Sequence, residues 1–264
     1  MFPLKDNITL ARLPVVTIAL VAINVIAYLL AIRHGGSFFS GPSSSVTARY
    51  GAIPYEFTHA GSHCGEITLQ TPEGTGSTIV CQGQPGVTGS PPAQPATWET
   101  AFTSMFLHGS FLHIFGNMLF LAIFGPAVED WMGRLRYPAF YLVGGLVALG
   151  AQVLVNPNST VPTLGASGAI AAVLGGYIAL YPRARILSLV FIIFFVTIVE
   201  VPAVLLLGFW FVLQLWLGAA GLASHVGSGE GVAYFAHIGG FAFGFILVGL
   251  FRGRRAAERP PVAV

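Results

Sequence analysis

The sequence predicts an all-α membrane protein, a bundle of six transmembrane helices with a long extracytoplasmic loop after the first. Hydrophobic residues make up 55% of the 264 residues and charged residues only 8%. That charged share is far below the roughly one-quarter that is usual in soluble domains. Apolar stretches suited to crossing about 30 Å of hydrocarbon at about 1.5 Å per residue recur along the chain. They fall near residues 13–32, 110–127, 137–155, 166–181, 186–221 and 232–251.

The first apolar stretch follows a short N-terminal segment, residues 1–12, and predicts an uncleaved helix. Its run of about 20 residues is longer than the apolar region of a usual secretory signal. Arg33-His34 follows it, without a small-x-small cleavage site.

Basic residues set the predicted orientation. Only Arg33 and Arg49 lie on one side of the spans, whereas the other Lys and Arg residues lie on the opposite side. The positive-inside rule therefore places both termini in the cytoplasm. Because these residues act as topology signals, the net charge of +2 gives no support for nucleic-acid binding. The inner basic residues are Lys5, Arg12, Arg134, Arg136, Arg183, Arg185, Arg252, Arg254, Arg255 and Arg259.

The run 186–221 is long enough for two passes, but it must cross once if the C-terminal arginines are to stay inside. We therefore expect Ile186 to Phe195 to lie along the inner interface. Glu200-Val201-Pro202 should then open the fifth helix.

Residues 33–97 form the predicted extracytoplasmic loop, which is rich in Gly, Pro, Ser and Thr and contains both cysteines, Cys64 and Cys81. Two cysteines in an oxidising compartment usually pair, and the bond would contribute about 3 kcal/mol in the chain-entropy model. The alternative is a metal site with His59 and His63, although the spacing matches no familiar zinc pattern. We expect much of this loop to be poorly ordered, since its composition can bury little apolar area.

Ser167 lies in Gly165-Ala166-Ser167-Gly168, at the head of a stretch of small residues. Polar side chains inside spans are costly to bury, so each is a functional candidate. The alternative is a helix cap or a small residue for close packing. The residues that keep this helix thin are Ala169, Ala171, Ala172, Gly175, Gly176 and Ala179.

His237 lies in the last span, followed by Gly240 and Gly244 at the small-xxx-small spacing that brings helices together. With Gly168 on the serine helix, these glycines predict close contact between the two helices. A lone intramembrane histidine can simply hydrogen-bond another helix. Beside a serine, however, it supplies the base that a hydroxyl nucleophile needs.

A third polar group, His108, His113 and Asn117, lies around the start of the second span. His113 and Asn117 are four residues apart and share a helix face, whereas His108 should lie in the loop before the helix. Interhelical hydrogen bonding and a metal site on the two histidines are alternatives, but neither explains an amide one turn further along the same face. Converging donors suit a developing oxyanion, and losing one typically costs about 10² to 10³ in rate.

Several other classes of protein fit the sequence less well. No carboxylate is placed to partner His237, because Asp6 and Asp130 lie on the cytoplasmic side and Glu200 lies near the inner end of span five. A third member of a catalytic triad is therefore missing, and a Ser-His dyad is the most that the sequence supports. A paired-aspartate protease lacks its aspartates, and there is no His-Glu-x-x-His zinc motif. A transporter would need intramembrane charges or inverted repeats. No cofactor or metal is implied.

From about Trp98 to Phe251 the chain resembles the rhomboid family of intramembrane serine proteases. The resemblance rests on four motifs that occur in order along a six-span frame. They are the His108, His113 and Asn117 cluster, Glu129-Asp130 with Gly133-Arg134, Gly165-Ala166-Ser167-Gly168, and Ala236-His237-x-Gly-Gly with Gly244.

This resemblance implies an endopeptidase of the lipid bilayer that cleaves single-span transmembrane proteins. Residues 98–251 would be its catalytic core and residues 252–264 a basic cytoplasmic tail, in a plasma (inner) membrane. Ser167 would be the nucleophile and His237 its general base. The oxyanion hole would comprise His113, Asn117 and the Ser167 backbone N–H, with His108 and Gly165 in support.

The chain departs from the family pattern at two places. Many rhomboids carry a Trp-Arg pair in the first loop, but here Trp98 is followed by Glu99. Some rhomboids also stack a tyrosine on the catalytic histidine, at the position of Ala171.

A catalytically silent relative that binds transmembrane clients is the alternative function, and it predicts loss of the serine or the histidine. Span five is a candidate lateral gate, or a lipid-facing surface, through Phe209, Trp210, Phe211 and Trp216.

Overall fold

The computed structural model describes residues 2–71, 74–87, 94–192, 195–223 and 232–253, so most of the predicted tail, residues 254–264, lies outside the described residues. Within them, five helices are long and apolar enough to cross a membrane. These helices are α1 (Val15–Arg33), α5 (Phe111–Met132), α6 (Arg136–Val155), α8 (Ala203–Ala223) and α9 (Tyr234–Leu247, continued by a 3₁₀ turn to Phe251).

The predicted fourth span forms α7 (Ser167–Leu180), which has only 14 residues. At about 1.5 Å per residue it is about 21 Å long, less than the roughly 30 Å of a hydrocarbon core. Every residue from Gly168 to Tyr177 is buried, because α5, α6 and α9 surround the helix. α7 is therefore the central helix of the bundle, and it is shorter than the five candidate spans, which have 18 to 22 residues.

Glycines let α7 and α9 touch backbone to backbone. A Cβ at Gly240 would overlap the carbonyl oxygen of Gly168, and one at Gly244 would overlap the carbonyl of Ala172. The close approach fixes the distance between the helix that carries Ser167 and the helix that carries His237.

A three-stranded antiparallel sheet replaces part of the predicted fifth span. The strands are β1 (Phe2–Asp6), β6 (Arg185–Ile192) and β7 (Phe195–Pro202), in the order β1-β6-β7. The prediction that Glu200-Val201-Pro202 open the fifth helix is therefore wrong, because α8 begins at Ala203. The run 185–202 is rich in Val, Ile and Phe, which favour strands, and its proline closes the strand, where a missing N–H is tolerated.

The segment between α1 and α5 contains regular structure, so the expectation that much of it is poorly ordered is wrong for its described part. It ends in a short helix, which leads to the 3₁₀ turn Ser104–Phe106. Its elements are β2 (Gly36–Ser37), β3 (Gly41–Pro42), α2 (Ser44–Tyr50), α3 (Pro54–Thr58), β4 (Cys64–Thr71), β5 (Gly74–Cys81) and α4 (Thr97–Thr103).

Cys64 and Cys81 form a disulfide at the base of the β4–β5 hairpin. The bond uses both thiols, which rules out the alternative metal site with His59 and His63. The carboxylate of Glu56 accepts a hydrogen bond of 2.7 Å from the Cys64 N–H, which attaches the hairpin to α3.

This segment is also attached to the chain that leads into α7. Ala52 and Thr163 exchange two backbone hydrogen bonds of 3.0 and 2.7 Å. The N–H of Tyr55 donates to the Ser159 carbonyl at 3.0 Å. The loop after α1 therefore braces the approach to Ser167.

At the opposite end of the bundle, Glu129 connects α5 to the start of α1. Its buried carboxylate accepts hydrogen bonds from the backbone N–H groups of Val16 and Thr17, at 3.0 and 2.7 Å, and from the Thr17 hydroxyl at 2.7 Å. The first N–H groups of a helix have no partner within the helix, so the carboxylate satisfies donors that would otherwise be left unpaired.

Candidate active site

Ser167 and His237 lie within hydrogen-bond distance of one another. The Nε2 atom of His237 is 2.8 Å from the Oγ atom of Ser167, although the residues are 70 positions apart. Ser167 is the first residue of α7, and His237 lies in the first turn of α9. Both are only partly buried, so the pair remains accessible from one end of the bundle.

The backbone before Ser167 makes a turn that depends on glycine. Gly165 has φ +116°, a conformation that residues with a Cβ rarely adopt. Its N–H donates to the Ser104 carbonyl at 2.8 Å, which fixes the turn to the end of the first-loop segment. Ala166 is the N-cap of α7, so the cap role considered for Ser167 belongs to its neighbour.

His113 and Asn117 present donors to this turn from α5. A Cβ built on Gly165 would be 2.7 Å from Nε2 of His113 and 3.5 Å from Nδ2 of Asn117. The Nδ1 atom of His113 accepts a long hydrogen bond, 3.5 Å, from the Gly109 N–H, so the ring proton is on Nε2. Among the described residues, Asn117 Nδ2 is buried and has no hydrogen-bond acceptor. Two donors therefore converge on the turn that leads into Ser167.

His108 lies in the loop before α5, as predicted, and is fully buried. Burial, with a smaller contribution from nearby His113, lowers the pKa of His108 to about 3. The neutral ring accepts a long hydrogen bond, 3.5 Å, from the Ala166 N–H at its Nε2 atom. The ring therefore supports the backbone next to Ser167.

A small cavity of about 20 Å³ lies against Ser167. It is lined mainly by small or flexible side chains, including Ala101, Met105, Ala148 and Ala236. A cavity of this size next to a nucleophile suits a small apolar side chain.

The structure adds one residue that the sequence analysis missed. The Oε1 atom of Gln214, in α8, lies 2.8 Å from Nδ1 of His237, on the side of the ring away from Ser167. Gln214 is buried, with an exposed fraction of 6%. It is the only amide or charged residue in α8, and a polar residue inside an apolar span was the signal that could have identified it.

Among the aromatic residues of the candidate gate, Trp210 lies next to the site. Its ring centroid is 5.7 Å from that of His237, and Phe211 stacks on Phe241 at 4.4 Å. Phe209 and Trp216 are instead exposed on the outer face of α8, at 71% and 72%. Two of the four aromatic residues therefore pack toward the site and two face outward, and the lateral gate stays a prediction.

These observations define a class of protein: a multi-pass helical membrane protein with a serine, a histidine and two converging donors at one end of a central short helix. The Rhomboid domain matches residues 95–254, which is more than half of the chain. The chain belongs to the rhomboid family.

Curated relatives agree with this assignment. The chain is 34% identical over 149 residues to Rhomboid protein 1, mitochondrial, of Saccharomyces cerevisiae. This match covers 54% of this chain and 39% of that protein. It is 31% identical over 182 residues to RHOMBOID-like protein 4 of Arabidopsis thaliana, covering 69% of this chain and 38% of that protein. It is also 31% identical over 81 residues to the Putative rhomboid protease YdcA of Bacillus subtilis, covering 31% and 40%. The matches thus span about two fifths of each of these relatives.

Proposed function

We propose that this protein is an intramembrane serine endopeptidase that cleaves transmembrane segments with a Ser167–His237 dyad. The observation that carries the proposal is the 2.8 Å separation between His237 Nε2 and Ser167 Oγ. A serine hydroxyl needs an adjacent base to act as a nucleophile, and a neutral imidazole at this distance is such a base. Membership of the rhomboid family supports the same chemistry, since one relative is named a putative rhomboid protease.

In the proposed mechanism, His237 Nε2 takes the hydroxyl proton as Ser167 Oγ attacks the scissile carbonyl carbon. The carbonyl oxygen becomes an oxyanion, stabilised by His113 Nε2–H, Asn117 Nδ2–H and the Ser167 backbone N–H. The imidazolium then protonates the leaving amine, which leaves an acyl-enzyme on Oγ. Water, activated by the same histidine, hydrolyses the ester and restores the serine.

The proposed substrates are single-span transmembrane proteins with a small residue before the scissile bond. The cavity beside Ser167 is small and is lined by residues such as Ala101 and Ala148, which supports this preference. A peptide bond within a helix is hydrogen-bonded and sterically shielded, so the substrate must unwind locally before attack. Helix-breaking residues near the cleavage site should therefore favour cleavage.

We further propose a plasma (inner) membrane location with both termini in the cytoplasm. The support is the distribution of Lys and Arg: among the described Lys and Arg residues, Arg33 and Arg49 are the two at the serine end of the bundle. Ser167 would then open toward the external face, with residues 33–97 above it. The charge distribution supports the orientation only; the choice of a plasma membrane follows from the resemblance to the rhomboid family, although the names of some relatives include the word mitochondrial.

The test is cleavage of a model single-span substrate by purified protein in detergent or liposomes. Ser167→Ala and His237→Ala should each abolish cleavage, whereas Ser188→Ala, a buried serine of β6 far from the site in the fold, should leave it unchanged. Cleavage that persists in Ser167→Ala would rule out this nucleophile. Binding of the substrate by wild type without cleavage would instead identify a client-binding protein.

A further inference from the structure

α8 buries one narrow face against the bundle, and Gln214 lies on it. The residues of that face recur four or seven positions apart, one or two helical turns, and most others on α8 are partly or fully exposed. An apolar side chain would meet the packing requirement at position 214 without the cost of burying an amide. The buried face comprises Ala203, Leu207, Gln214 and Gly218.

We propose that Gln214 is a positioning residue that fixes the ring orientation and tautomer of His237; this inference rests on the proposed function. The Gln214 Oε1 atom accepts a hydrogen bond from His237 Nδ1–H at 2.8 Å. With the ring proton on Nδ1, the lone pair of Nε2 faces the Ser167 hydroxyl, 2.8 Å away. The other tautomer places the proton on Nε2, where the ring cannot accept the serine proton.

The packing around Ala171 explains why support for the ring comes from α8. Ala171 is fully buried, and its Cβ would lie 3.3 Å from a Cβ built on Gly240 of α9. The close contact of α7 and α9 leaves no room there for the aromatic ring that some relatives of the family place against the histidine. Trp210 and Gln214 lie four residues apart on one face of α8. Trp210 contacts the imidazole ring, and Gln214 bonds its Nδ1 atom.

The arrangement links the position of α8 to the competence of the base. The proton acceptor for Nδ1 lies on α8, whereas the imidazole lies on α9 and the nucleophile on α7. Any outward movement of α8 lengthens the Gln214–His237 bond without moving Ser167. His237 is therefore held for catalysis only while α8 packs against α9.

The test compares Gln214→Met and Gln214→Glu with the wild type and with Leu215→Met, a control at the exposed neighbouring position. The measured quantity is the rate at which a fluorophosphonate labels Ser167, followed across pH, with thermal stability measured in parallel. Methionine keeps the volume but removes the acceptor, so labelling should slow by about 10²-fold or more at unchanged stability, since a general base contributes about 10²–10⁴.

Glutamate can only accept, so Gln214→Glu should label within about 10-fold of the wild type. Its carboxylate favours the imidazolium, so the acidic limb of the pH–rate profile should move up by about one pH unit or more. A residue that only fills space would not move that limb. If Gln214→Met does not fold, this shift alone decides the question.

Wild-type labelling rates in Gln214→Met, or an acidic limb that stays in place in Gln214→Glu, would overturn the positioning role while the dyad stands. If the fluorophosphonate labels the Ser167→Ala variant as fast as the wild type, the proposed function is overturned, and the positioning role with it.

Discussion

Adding one methyl group at Gly244 should separate the two catalytic helices. A Cβ there would lie 2.7 Å from the carbonyl carbon of Ala172, whereas carbon atoms in contact are about 3.5–4.0 Å apart. The obstacle is backbone, so a rotamer change cannot relieve the overlap. In Gly244→Ala, α9 must therefore move away from α7 by about 0.8 Å or more.

This displacement is large compared with the tolerance of the dyad. If α9 moves as a rigid body along the line that joins the two atoms, the 2.8 Å distance from His237 to Ser167 grows to about 3.6 Å or more, beyond the usual hydrogen-bond limit of about 3.2 Å. Overpacking of this kind costs about 1–3 kcal/mol. We expect Gly244→Ala to lower stability by that amount and to slow cleavage by about 10²-fold, because the base loses its reach.

The assay combines thermal unfolding in detergent with the rate of substrate cleavage. Gly150→Ala in α6 is the matched control, because nothing lies within 4 Å of a Cβ at that position. The same substitution there should raise stability by about 0.5–1 kcal/mol, since alanine is the better helix former. Equal or higher stability with full activity in Gly244→Ala would refute the argument that backbone contact sets the dyad distance.

Two further predictions concern the ends of the bundle. Glu129→Gln should lower the free energy of unfolding by about 1–3 kcal/mol, because a neutral amide cannot accept hydrogen bonds from both N–H groups of Val16 and Thr17 as the carboxylate does. Thermal unfolding measures this effect, and an unchanged midpoint would contradict the prediction. Reduction of the Cys64–Cys81 disulfide, which closes a separation of 17 residues, should destabilise the loop by about 3 kcal/mol. Limited proteolysis should then cut the loop faster, whereas equal cleavage rates in reduced and oxidised protein would count against this role.

The helices could be predicted from the sequence because their signal is strong. α1, α5 and α6 are uninterrupted apolar runs bounded by polar residues, and each predicted start lies within two residues of the observed one. The run 186–221 carries no such boundary. Apolar residues alone do not distinguish a buried strand from a helix, so the hairpin before Ala203 was missed.

The candidate site was predicted in part for a similar reason. Ser167, His237, His113 and Asn117 each stand out as polar residues among apolar ones, and small residues indicated which helices approach closely. The contact of Gln214 with His237 depends on how α8 rotates about its axis, which the sequence of an apolar helix does not encode clearly. The sequence shows that Gln214 is a polar residue in an apolar span, but it does not show which residue Gln214 contacts.

The sheet at the base of the bundle has a consequence for biosynthesis. Phe2 pairs with Leu189 and Asp6 with Ile186, so β1 must wait for partners that are synthesised about 180 residues later. At about 5–20 residues per second, that wait lasts roughly 10–40 s, during which the first helices can already enter the bilayer. β1 then covers one edge of β6, and the Tyr177 hydroxyl at the end of the serine helix donates to Asp6 at 3.0 Å. β1 is thus among the last strands of the fold to pair, because its pairing requires that β6 has already been made.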